Sequence, residues 1–157
     1  MLKKTIRYTD FDGNEASTDV YFNLTKTECV DLNLEYEDEG GLIGRIKKLI
    51  VERAEDEDNM PRKPAVDFVK LLIDRAYGVR PKDDPSLFLK EDDDGKPLFK
   101  KFKQSAAYDA YVYALLSGEE SLDEFAANVL PQISEEQKAE AAKLLEAEGL
   151  GAYAKGV

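Results

Sequence analysis

Residues 106–117 run Ala106-Ala107-Tyr108-Asp109-Ala110-Tyr111-Val112-Tyr113-Ala114-Leu115-Leu116-Ser117, apolar on nearly every side of a helix. A helix without a polar face must be covered all round, so it belongs at the centre of the fold. Ser105 is placed to cap its start and Gly118 to end it. The N-terminus follows a different period. Residues 3–9 and 18–24 alternate with period two, which sets Ile6 and Tyr8 on one face and Val20, Phe22 and Leu24 on the partner strand's face. The turn formers Asp10-Phe11-Asp12-Gly13-Asn14 lie between them, so the segment reads as a β-hairpin. A lone hairpin is marginal in water, so this one must pack on helices or pair with another chain.

The segments that follow the hairpin read mainly as helices. Thr25-Lys26-Thr27-Glu28 is a capping box and opens a helix over 26–37, with Val30 and Leu34 expected inward and Leu32 a further candidate. Gly40-Gly41 breaks it. Leu42, Ile43, Ile46, Leu49 and Ile50 then recur at helical spacing, in a helix reaching Glu55. The acidic Glu55-Asp56-Glu57-Asp58 sits at its C-terminal end, where the helix dipole disfavours negative charge, so fraying is expected there. Pro61 and Pro64 mark a loop, and Pro64 suits the first turn of a helix over 64–77. Val66, Val69, Leu72, Ile73 and Ala76 share its apolar face, with Phe68 beside them, and Gly78 stands where a left-handed cap belongs.

Residues 79–103 read as a long loop or short extended segment. Ser121-Leu122-Asp123-Glu124 is a second capping box, before Leu122, Phe125, Ala126, Val129 and Leu130 on one face, and Pro131 stops that helix. Ser134-Glu135-Glu136-Gln137 is a third, opening a helix to Glu148. The expected fold is mainly α: a compact helical domain of about five to six helices with an N-terminal β-hairpin. Residues 1–131 form one domain, with the hairpin at 3–24. Residues 132–157 form a C-terminal helix and tail, either a peripheral helix of that domain or a mobile, partner-binding arm. Leu72, Ile73, Tyr108, Tyr111, Leu115, Phe125 and Val129 are the expected core.

Charge and composition narrow the function. The chain has 157 residues, 22 basic and 33 acidic, for a net charge of −11. Such a surface argues against general binding to nucleic acid or to anionic membranes. There is no histidine, which removes His-based triads, His metal sites and the usual side chain for proton transfer near neutral pH. The single cysteine, Cys29, allows neither an intramolecular disulfide nor a zinc cluster, and is expected to be a structural thiol. No apolar run approaches the roughly 20 residues of a membrane span. Met1-Leu2-Lys3-Lys4-Thr5 lacks the apolar stretch of a signal peptide, so a reducing cytosol fits best and the Asn23-Leu24-Thr25 sequon should be silent.

Several motifs fail on inspection. Asp10-Phe11-Asp12-Gly13-Asn14 begins like a calcium loop, but Glu15 stands where glycine is needed and Tyr21 where a bidentate glutamate is needed. Asp92-Asp93-Asp94-Gly95 lacks its later acid and reads as a solvated turn. Gly40-Gly41-Leu42-Ile43-Gly44 lacks the Lys-Ser/Thr of a phosphate loop and reads as a helix break. The basic patch from Lys96 to Lys103 carries Phe99 and Phe102, which are expected to anchor the loop to the core rather than to stack bases. No catalytic, cofactor-binding or metal-ligating set emerges. In the last helix, Ala141, Ala142, Leu144, Leu145 and then Leu150 make a moderately apolar face, and Leu144, Leu145 and Leu150 are the candidate partner-binding residues.

The order of features over residues 69–131 resembles a known family. Leu71-Leu72 is followed by Ala76-Tyr77-Gly78, an acidic-glycine loop leading to Phe99-Lys100, then Phe102, Ser105 and Tyr108, then Phe125 and Val129-Leu130-Pro131. This series is similar to the tail assembly chaperones of long-tailed, non-contractile bacteriophages. The proline-rich loop is longer here, and residues 134–157 extend past the pattern. The resemblance implies a binding protein without enzymatic activity. It would hold the tape-measure protein soluble in the host cytoplasm until the tail tube polymerises, with the tail-tube protein as a further partner, and be absent from the mature virion. It also implies that such proteins are made in two lengths by a programmed frameshift, with a chain ending at Val157 as the short, non-frameshifted form, and leaves homo-oligomer formation open. No nucleic acid, membrane or cofactor is expected. The alternatives are a head–tail connector or other structural adaptor, and an acidic inhibitor or DNA mimic.

Overall fold

A computed structural model of the chain describes residues 1–42, 44, 45, 47, 48, 63–130 and 143. The hairpin forms as read. Strand β1 (Leu2–Thr9) pairs antiparallel with β2 (Glu15–Phe22), with Leu2 opposite Phe22 and Thr9 opposite Glu15. The period-two pattern sorts the two faces. Leu2, Ile6, Val20 and Phe22 are buried, while Lys3, Thr5, Arg7, Ser17 and Asp19 face solvent. Asp10 shapes the connecting turn, its Oδ1 accepting from the backbone N–H of Asp12 (3.0 Å) and Asn14 (2.9 Å).

The capping box opens helix α1 (Lys26–Glu35): Glu28 N–H donates to Thr25 Oγ1 and Thr25 N–H to Glu28 Oε1. Its inward face differs from the expectation. Cys29 and Leu32 are buried, whereas Val30 is 48% and Leu34 58% exposed. With Tyr36 packed against the core, the buried set is spaced 29, 32, 36, a helical stripe that treats cysteine as the small apolar residue it is. A 3₁₀ turn (Glu37–Glu39) and Gly40, left-handed at φ 85°, then reverse the chain, with Gly41 N–H reaching back to Tyr36 O at 2.8 Å. Gly40 and Gly41, both at positive φ, break the helix as read, and Gly41, Leu42 and Gly44 are helical again. The expected fraying at residues 55–58 lies outside the described residues.

Helix α2 (Lys63–Ala76) buries Phe68, Val69, Leu72, Ile73 and Ala76. Gly78 is not its left-handed cap. Tyr77–Gly78 forms a short strand, β3, on the outer edge of β2, with Tyr21 opposite Gly78 and Phe22 opposite Tyr77, in a sheet of order β1-β2-β3. Glycine is required by close approach: a Cβ there would lie 2.0 Å from Phe88 Cε1. The segment after β3 is ordered by short antiparallel bridges, Val79 with Leu89 and Glu91 with Pro97. The second is closed by a turn that repeats the first: Asp92 Oδ1 accepts from Asp94 and Lys96 N–H, each at 2.9 Å. Helix α3 (Phe99–Phe102) follows, with Phe102 buried and stacked on Tyr77 at 4.1 Å, so this phenylalanine anchors the loop as expected.

The central helix is α4 (Ala106–Ser117), capped by Ser105, whose Oγ accepts from Tyr108 N–H at 3.1 Å. It lies across β1 and buries Ala107, Tyr108, Tyr111, Val112, Leu115, Leu116 and Ser117. Helix α5 (Leu122–Val129) closes this side, with Ser121 Oγ accepting from Glu124 N–H at 3.2 Å. Phe22, fully buried, is the hub: its ring lies 5.3 Å from Tyr111, 5.6 Å from Phe125, 6.2 Å from Phe102 and 6.3 Å from Tyr77. Leu72, Ile73, Tyr108, Tyr111, Leu115, Phe125 and Val129 are all buried, as expected.

The mainly α expectation is corrected. Helix makes up 49% and strand 20%, with five α-helices and a three-stranded antiparallel sheet among the described residues, which is an α+β arrangement. The correction has a physical cause. The hairpin is not an appendage: its inner face supplies one wall of the core, and it recruits Tyr77–Gly78 as a third strand.

Candidate partner-binding surface

Three surface features stand out among the described residues. The first is the free edge of the sheet. The backbone phase shows which groups reach it. Asp10 N–H donates to Asn14 O, and Asn23 N–H donates to Ala76 O at 2.7 Å. Antiparallel ladders alternate, so the even-numbered residues of β1 bond to β2 and the odd-numbered ones turn their N–H and C=O outward. Lys3, Thr5 and Arg7 therefore present unpaired backbone groups, since β1 has no other strand neighbour among the described residues. Beside this edge runs a groove of about 580 Å³, lined by residues 4–7 and by Tyr111, Ala114, Glu119 and Glu120.

The electrostatics of that edge oppose those of the whole chain. β1 carries Lys3, Lys4 and Arg7 and no acid. Lys4 is paired with Glu120 Oε2 at 2.5 Å, with Glu124 Oε2 at 3.8 Å. Lys3 is exposed and 3.8 Å from Asp19, a weak pair in water. Arg7 has no ion pair among the described residues and lines both this groove and a second one at the hairpin's turn end. Burial, with Glu120 and Glu124 nearby, pushes the Tyr111 phenol up, so it stays protonated along the groove floor.

The second feature is exposed apolar area. Phe11 projects from the hairpin turn, 85% exposed, and Val30 and Leu34 lie one turn apart on the outer side of α1. Val79 and Leu89, paired across their bridge, are also exposed.

The third is a half-buried ammonium. Lys90 reaches under the hairpin, and its Nζ donates to Asn23 O (2.7 Å), Arg75 O (2.5 Å) and Glu28 Oε2 (2.8 Å). One side chain thus ties the loop after β3 to the end of β2, the start of α1 and the end of α2. Burial lowers the Lys90 pKa, with Glu28 opposing. Burial raises the Glu28 carboxyl, but hydrogen bonds from Lys90 and Thr25 outweigh it and hold the group below its usual range. Nothing in the sequence marks this lysine.

A reactive centre is not among these features. Asp74 and Tyr108 lie together, and burial pushes both the carboxyl and the phenol up. The Tyr108 hydroxyl has no partner in hydrogen-bonding geometry among the described residues, and neither residue lines the grooves described above. Among the described residues no group of acids and cysteine could hold a metal ion, and no helix is long and apolar enough to cross a membrane. Of the candidates from sequence, Leu144, Leu145 and Leu150 lie outside the described residues; Lys143 beside them is helical and exposed.

No curated protein and no solved structure matches this chain. A sequence model described as phage tail assembly chaperone matches residues 1–152, from the hairpin through the central helix and beyond. That span takes in nearly the whole chain, and the protein belongs to the phage tail assembly chaperone family.

Proposed function

We propose that this chaperone acts on the tape-measure protein, keeps that long helical component soluble in the host cytoplasm, and leaves before the virion is complete. The observation that carries the reading is the family match over residues 1–152. Two physical features support it. A net charge of −11 keeps a carrier and its aggregation-prone client apart from other complexes. The sequence pattern at Leu144, Leu145 and Leu150, apolar at helical spacing, suits an amphipathic client helix, which binds by laying its apolar face against another.

The role requires binding and release rather than chemistry, so no residue is assigned a catalytic part. Co-expression with the tape-measure protein of the same phage tests the reading. The expected result is a soluble complex that co-purifies through size exclusion. Changing Leu144 and Leu145 to Glu should leave the circular dichroism of the domain intact and reduce the amount of client recovered. Unchanged recovery would move the client surface away from Leu144 and Leu145. Failure of both this chain and its frameshifted longer form to recover client would favour a head–tail connector role.

A further inference from the structure

We propose that the free edge of β1 is a docking site for an extended, acidic segment of a partner protein, which adds to the sheet as a fourth strand. The inference is independent of the client reading above. It rests on three observations. The outward N–H and C=O of Lys3, Thr5 and Arg7 form a row of unpaired ladder groups among the described residues. The side chains of the same residues lie on the solvent face, where two of the three are cations. The intervening positions, Lys4 and Ile6, line the groove together with Tyr111, Ala114, Glu119 and Glu120.

These phases specify the occupant. Residues of an added strand directly opposite Lys3 and Arg7 would have side chains beside those cations, so acids are favoured there. The alternate residues would turn into the groove, where Ile6, Tyr111 and Ala114 lie beside the paired Lys4 and Glu120 and the acid Glu119, so small uncharged side chains are favoured there and further acids are not. The matching sequence is therefore an alternation of acidic and small uncharged residues. Main-chain bonds supply affinity in this mode and the alternate pockets supply selectivity. A second copy of β1 is a poor occupant, because it would bring three more cations to an edge that carries no acid.

The test uses the full chain and a synthetic peptide matched to β1 in length that alternates Glu with Val or Thr. In the free protein, the amides of Lys3, Thr5 and Arg7 should exchange quickly with solvent. Protection of those amides without peptide would mean that a second copy or the chain's own residues already cover the edge, and would overturn the proposal. Adding the acidic peptide should shift and protect those three amides. Binding should weaken as salt rises, and a Lys-for-Glu peptide should not bind.

Two variants separate the contributions. Arg7→Glu should weaken binding roughly tenfold, the combined effect of losing an exposed attraction and adding a repulsion. Thr5→Pro removes an outward N–H that the fold does not use, so it should keep the hairpin and lose the peptide. Should Thr5→Pro disturb the hairpin, Arg7→Glu still decides the matter. Equal binding of the acidic and basic peptides, or amide shifts confined to other elements, would refute the proposal.

Discussion

Lys90 offers the sharpest test of how the fold is held together, because one substitution removes contacts to three elements at once. Lys90→Met keeps the apolar stem and deletes the ammonium, leaving Asn23 O, Arg75 O and Glu28 Oε2 without that donor. Hydrogen bonds to charged groups are worth about 1.5–3 kcal/mol apiece. The three cannot be summed, since they share one donor group whose own burial costs energy. Solvent also reaches the pair: the Lys90 side chain is 23% and the Glu28 side chain 34% exposed. The expected loss therefore falls between a surface pair and a fully buried one, at about 2–3 kcal/mol.

Urea unfolding followed by circular dichroism reads this directly. With a slope of about 1–3 kcal/mol/M, the midpoint should fall by about 0.7–3 M. Glu28→Gln removes only the carboxylate and leaves the two carbonyl bonds, so it should cost about 1 kcal/mol. A loss below about 0.5 kcal/mol for Lys90→Met would refute the view of this lysine as a structural tie, since that is the range of ordinary surface changes. A loss for Glu28→Gln as large as that for Lys90→Met would show that the ion pair, not the carbonyls, holds the loop.

The same pair predicts an acid limb. Glu28 is held below its ordinary pKa, so its contribution is fully present above about pH 4.3, the unfolded value, and fades as pH falls through the folded one. Stability of Lys90→Met should vary less over that window than stability of the parent, read as urea midpoints against pH. Phe22→Ala removes the ring that touches Tyr77, Phe102, Tyr111 and Phe125, and should cost about 3–5 kcal/mol in the same unfolding assay; a cost near that of a surface change would mean the hub is misassigned. Gly78→Ala places a methyl against the Phe88 ring and should cost about 1–3 kcal/mol. Its check is the Phe88 ring resonances, which should move; unmoved resonances with unchanged stability would contradict the close approach.

Much of the fold was legible because its cues are local. The hairpin follows from alternation, and the starts of α1, α4 and α5 follow from Thr25, Ser105 and Ser121. The turn at Asp92 was legible too, since Asp92-Asp93-Asp94-Gly95 repeats the Asp-x-Asp-Gly order of Asp10-Phe11-Asp12-Gly13 and folds into the same hydrogen-bonded loop. Cues that depend on the rest of the molecule were not legible. Val30 and Leu34 are as apolar as Leu32, and only the packing of Cys29, Leu32 and Tyr36 against the core decides which stripe of α1 turns inward. Gly78 has the sequence of a helix cap but is claimed by the free edge of β2. Lys90 is one lysine among many until three elements gather their oxygens around it. The partner-binding candidates Leu144, Leu145 and Leu150 remain a reading of sequence alone.

We propose that the chain protects a tape-measure protein from aggregation. The most direct measurement is light scattering as that protein, purified in denaturant, is diluted into buffer containing increasing amounts of this chaperone. Scattering should fall in proportion to added chaperone and level off at a fixed ratio of the two proteins, reproduced by a co-migrating complex in size exclusion. Scattering that matches the effect of an equal mass of an unrelated acidic protein, with no complex, would contradict the account.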